Sequence, residues 1–61
     1  MAIYILTAFE PNGEKIVEER IEASSDQEAK ARGEQFLSEN QLQDKTHRLV
    51  SPEGKLLLFH V

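Results

Sequence analysis

Few residues in this chain could do chemistry. His47 and His60 are the only histidines, and both fall on strands of one predicted hairpin, so the ladder should bring their side chains near one another. Arg48 follows His47 directly, and with Tyr4 these residues form the candidate ligand set: His47, Arg48, His60 and Tyr4. A transition-metal site needs a third or fourth ligand. Glutamates are available, but none stands at a recognisable ligand spacing from the histidines, so the expectation is no metal and no cofactor. Ser24, Ser25, Ser38 and Ser51 each have a simpler use as cap, helix-surface or turn residues than as a nucleophile beside an oriented base. Glu10, Glu14, Glu18 and Glu19 read as charges on a solvated hairpin. Gly13, Gly33 and Gly54 stand alone and make no phosphate-binding loop. Tautomerases of about this size use an amino-terminal proline, whereas Ala2 follows Met1 here. No catalytic residue is expected.

The strands and helix expected to carry these residues fit a single domain over residues 1–61. A chain of 61 residues buries only about 60% of its unfolded surface, and small domains commonly gain stability from disulfides, a metal or a partner subunit. With no cysteine, disulfides and thiolate zinc sites are closed, and association with another chain is the easiest remaining route. Seven basic and eleven acidic residues give a formal net charge of −4, a field that repels phosphates and argues against nucleic acid as a partner. The longest apolar runs, Ala2 to Leu6 and Leu56 to Phe59, are far short of the roughly 20 residues that span a bilayer. The start of the chain lacks the pattern of a secretory signal, and together with the absence of cysteine this favours the cytoplasm.

Two segments resemble each other, Glu10-Pro11-Asn12-Gly13-Glu14-Lys15 and Ser51-Pro52-Glu53-Gly54-Lys55. Each puts proline second and glycine fourth, the pattern of a type I turn followed by a left-handed residue in a three-residue hairpin loop. Strands are expected on their flanks, at Ile3 to Phe9, Ile16 to Ala23, Thr46 to Val50 and Leu56 to Val61. Between the hairpins, Ser25 and Glu28 have capping-box spacing and Asp26 sits near the positive end of the helix dipole. The helix buries Ala29, Gly33, Phe36 and Leu37, with Gly33 either letting it lie close on the sheet or simply tolerated there. Asn40 is the expected left-handed cap, with Leu42 folding back on the last turn.

The fold class is therefore α+β, in the order β-β-α-β-β, with a four-stranded sheet and one helix on one face. The first and last strands are apolar on both sides, whereas Glu18, Arg20 and Glu22 line the second, and His47 and Arg48 interrupt the third. This favours the strand order 2-1-4-3, with 1-2-3-4 as the alternative. One helix covers one face only. If Ile3, Ile5, Leu57, Phe59 and Val61 share one face and Tyr4, Leu6, Leu56 and Leu58 the other, whichever lies away from the helix is an exposed apolar patch. A second copy could bury it, or long side chains such as Lys15, Arg20 and Arg48 could partly shield it in a lone domain. Tyr4, Leu6, Leu56, Leu58 and Phe59 are the candidate interface residues.

Taken in order, Tyr4, Phe9-Glu10-Pro11-Asn12-Gly13, Ala23-Ser24-Ser25-Asp26-Gln27-Glu28-Ala29, Thr46-His47-Arg48 and Gly54-Lys55-Leu56 resemble the small bacterial proteins grouped as YhzD-like, over the whole chain. That resemblance implies a Bacillus-type bacterial cytoplasmic protein and transfers no activity, cofactor or catalytic residue. Residues Ile3 to Gln41 are also similar to the front half of HicB-type antitoxins. Those proteins carry a further proline- and glycine-rich strand segment before the helix, where this chain runs from Ile21-Glu22-Ala23 straight into the cap. An acidic partner that blocks a basic toxin would suit a net charge of −4. The expected function is a non-enzymatic interaction or structural module, acting as a homodimer or through a protein partner. The alternatives are an antitoxin-type partner protein and a small-ligand binder whose site forms at a dimer junction.

Overall fold

The computed structural model describes residues 1–60, so Val61 lies outside the described residues. The chain forms β1 (Ala2–Phe9), β2 (Lys15–Ala23), α1 (Asp26–Glu39), β3 (Thr46–Val50) and β4 (Leu56–His60). Both hairpin loops form as the Pro-x-Gly patterns predict. Gly13 and Gly54 take φ of 90° and 87°, and the Gly13 and Gly54 amides donate to the Glu10 and Ser51 carbonyls at 2.8 and 2.9 Å.

Ser25 caps α1. Its Oγ accepts from the Glu28 amide at 3.1 Å, while Glu28 Oε1 accepts from the amide and hydroxyl of Ser24 at 2.6 and 2.8 Å. The reciprocal half of the capping box thus reaches one residue further back than the usual pattern. These donors hold the Glu28 carboxyl below its ordinary pKa, the Ser24 amide being the largest cause. At the other end, the left-handed residue is Gln41, with φ of 57°, and not Asn40, whose φ is −104°. The Leu42 amide donates to the Leu37 carbonyl at 2.8 Å and the Gln41 amide to the Ser38 carbonyl at 3.3 Å, the bonding of a Schellman motif. Asn40 is instead held by its own side chain, which donates to the Phe36 carbonyl at 2.8 Å. Leu42 is buried in the same cluster as Leu37, as the sequence predicts.

The sheet has the order β2-β1-β3-β4, which corrects the expected 2-1-4-3. Strand direction explains it. The helix returns the chain to the end where β2 began, so β3 runs opposite to β1 and β4 runs along it. Placing β3 beside β1 makes all three ladders antiparallel, whereas β4 there would require a parallel pair, slightly less stable per residue. The Arg48 charge does not force β3 to an edge, because its side chain leaves from the uncovered face of the sheet. The apolar β4 becomes an edge strand, and its ladder shifts register between Leu49 and Val50, so that Leu57 is the extra residue of a bulge.

The core lies between helix and sheet. Tyr4, Leu6 and Ala8 of β1 meet Ile21 and Ala23 of β2, Leu49 of β3, Ala29 and Leu37 of α1, and Leu42 beyond it. Phe36, expected on the buried helix face, is half-buried at the margin of this cluster. A Cβ on Gly33 would come 3.3 Å from Leu49 Cδ2 and 3.4 Å from Leu58 Cδ1, so the glycine does set how near the helix lies to the sheet. Among the described residues, no helix is long and apolar enough to cross a membrane.

Candidate functional site

Strand alternation and the single helix leave one face of the sheet uncovered. The alternation puts Ile3, Ile5, Thr7 and Phe9 of β1 on that face, opposite the buried Tyr4, Leu6 and Ala8. Register extends it in rows. Ile5 lies between Arg20 and Val50, and Thr7 between Glu18 and Arg48, with Phe59 next beyond Arg48. Ile3, Ile5, Phe9 and Val50 are half-buried, and Phe59 is 60% exposed. The Arg48 guanidinium carbon stands 5.4 Å from the centroid of the Phe9 ring, a cation–π contact.

Of the five expected interface residues, the structure leaves Leu56 and Phe59 exposed, at 52% and 60%. Tyr4 and Leu6 are buried beneath the helix at 4% and 0%, and the half-buried Leu58 packs against the core. This corrects their placement on a free surface. Alternation divides β1 correctly, but the bulge in β4 sets Leu56 opposite Val50 on the uncovered side and packs Leu57 against the core, the reverse of the expected division, and only the helix determines which face is covered. The residues that take over are Ile3, Ile5, Phe9 and Val50, and the uncovered half of the alternation was the signal for the two isoleucines.

The four candidate ligand residues do not converge. His47 and His60 are direct cross-strand partners, with rings stacked at 5.5 Å between centroids and 25° between planes. His47 is buried to 9% exposure, and its Nδ1 lies 2.9 Å from the Lys45 carbonyl oxygen. Arg48 projects from the opposite face. Tyr4 lies in the core, and its hydroxyl donates to Asp26 Oδ1 at 2.8 Å at the end of the sheet where α1 begins. That bond is the largest cause of the raised Tyr4 pKa, with desolvation adding to it. The second Asp26 oxygen is 3.5 Å from Lys55 Nζ, so β1, α1 and the second hairpin loop meet there. Sequence spacing offered no signal for Tyr4–Asp26, which are 22 positions apart.

A shallow depression of about 650 Å³ wraps the β2 edge, lined by Met1, Ile3, Arg20, Ile21, Arg32 and Phe36 together with Glu19 and Glu22. Its charges have both signs and its walls carry no nucleophile. Among the described residues, no group of three or more His, Cys, Asp or Glu side chains is placed to hold a metal ion.

Comparison with known proteins agrees with the motif order noted in the sequence. No solved structure matches the chain. A relative from Bacillus subtilis (strain 168), described as "Uncharacterized protein YhzD", is 50% identical over 60 residues, covering 98% of this chain and 98% of that protein. The model of the family described as "YhzD-like protein" matches residues 1–61, and the chain belongs to the YhzD-like family.

Proposed function

We propose that this protein is a non-enzymatic interaction module that pairs with a second copy of itself through the uncovered sheet face. The observation that carries the reading is the strip of Ile3, Ile5, Val50 and Phe59, with Phe9 beneath Arg48, on the face that no helix covers. Its size suits a dimer. The fold measures 33 × 22 × 15 Å, and its broad side has a plan area of roughly 700 Å², close to the ~800 Å² that each partner buries in a standard interface.

Its charges also suit a two-fold arrangement. On β2 the strip is bordered by Glu18, Arg20 and Glu22, and Arg48 stands across it on β3 level with Glu18, so turning one copy over the other about an axis along the strands brings Glu18 toward Arg48 in both halves. A partner chain also supplies the burial that a domain of this size lacks. The proposed setting is the cytoplasm, supported by the absence of cysteine. Light scattering on the eluting protein tests the reading. A mass of two chains at micromolar concentration supports it, and a mass of one chain up to millimolar concentration overturns it.

A further inference from the structure

We infer that His47 and His60 form a two-histidine chelate for a divalent transition-metal ion, a site independent of the dimer face. The two residues are opposite one another on β3 and β4, and their rings already lie together at 5.5 Å between centroids. The Lys45 carbonyl, 2.9 Å from His47 Nδ1, can only accept. In the neutral ring the proton therefore sits on Nδ1, and the lone pair is on Nε2. A backbone carbonyl on the far nitrogen is the arrangement that orients metal-binding histidines.

His60 is exposed and belongs to the edge strand, so its ring can turn about its side-chain bonds without disturbing the sheet. A tetrahedral ion with metal–nitrogen distances of about 2.0–2.1 Å holds two nitrogens roughly 3.3 Å apart, a spacing within reach of these rings while both backbones stay in place. No third acidic or histidine side chain joins the pair among the described residues. Water completes the coordination, and binding is weaker than at a closed four-ligand site. Imidazole ligands suit Zn²⁺, Ni²⁺ and Cu²⁺ rather than Mg²⁺ or Ca²⁺.

The test is titration of the full chain with Zn²⁺, Ni²⁺, Co²⁺ and Mg²⁺ in separate experiments, followed by the ring-proton NMR signals of both histidines. The expected result is saturable binding that perturbs the two rings at the same metal concentration, with Ni²⁺ tighter than Co²⁺ and no response to Mg²⁺. In His60→Ala, which alters an exposed side chain, the response of His47 at that concentration should disappear. Perturbation of one ring alone, of neither ring, or an unchanged His47 response in His60→Ala overturns the inference. Phe59→Glu, which disrupts the dimer face, should leave metal binding unchanged, so this site and the proposed dimer fail or stand separately.

Discussion

Arg48 lies over the ring of Phe9, its guanidinium carbon 5.4 Å from the ring centroid, on the side of the sheet opposite the helix. This contact shows how a charged residue sits on an interior strand. The side chain is exposed and leaves from the face that no helix covers, so the strand needs no open edge. Arg48→Ala should lower stability by about 0.5–1 kcal/mol, the range of an exposed cation–π contact, measurable by urea denaturation. A larger loss that grows with protein concentration would come from the part of Arg48 in the proposed interface.

Gly33 is where helix propensity and packing oppose each other. Alanine gains roughly 1 kcal/mol of helix propensity, but its Cβ would press on the side-chain ends of Leu49 and Leu58 at 3.3 and 3.4 Å. Gly33→Ala should therefore change stability little. Gly33→Val adds volume that the fully buried Leu49 has no room to yield to, and should cost about 1–3 kcal/mol. Thermal melts of the two variants check the difference.

Gln41 holds a φ of 57° that glycine adopts without strain. Gln41→Gly should stabilise the protein by about 1 kcal/mol, because the Schellman bonds stay and the left-handed penalty is removed. Loss of stability would mean that the Gln41 side chain makes a compensating contact.

The amino-terminal cap links stability to acid. Glu28 has its folded-state pKa below the ordinary 4.5 because it accepts from Ser24. A depressed carboxylate stabilises the fold above its unfolded pKa, and that stability is lost as pH falls through the lower folded value. Denaturation midpoints measured below pH 4.5 should fall less steeply for Glu28→Gln than for the parent. Tyr4 works in the opposite direction. Its raised folded pKa gives stability that is present below pH 10.0 and lost at higher pH, so Tyr4→Phe should flatten the alkaline limb. Ser25→Ala should cost about 1 kcal/mol near neutral pH.

Much of the fold was legible in the sequence, for local reasons. Pro11, Gly13, Pro52 and Gly54 specify turns whose dihedrals only certain residues favour, and Ser25 and Glu28 announce a helix start. Strand order depended on the direction in which the helix returns the chain, a long-range constraint absent from the apolar count of β4. Alternation assigned Tyr4 and Leu6 to one face and Ile3 and Ile5 to the other. The covered face was fixed only where α1 packs, through Gly33 on Leu49. The histidine pair was legible by counting from the turn, whereas the Lys45 carbonyl that orients His47 belongs to a loop with no sequence signature.

The uncovered face and the core are separated most sharply by adjacent residues of β4. Leu58 packs near Gly33, so Leu58→Glu should unfold the domain. Phe59 is 60% exposed, so Phe59→Glu should leave the circular dichroism spectrum unchanged. Sedimentation equilibrium of the parent and Phe59→Glu is the most direct test. The expected masses are two chains for the parent and one for the folded variant. A one-chain parent, or a variant that remains two chains, would contradict the proposed dimer.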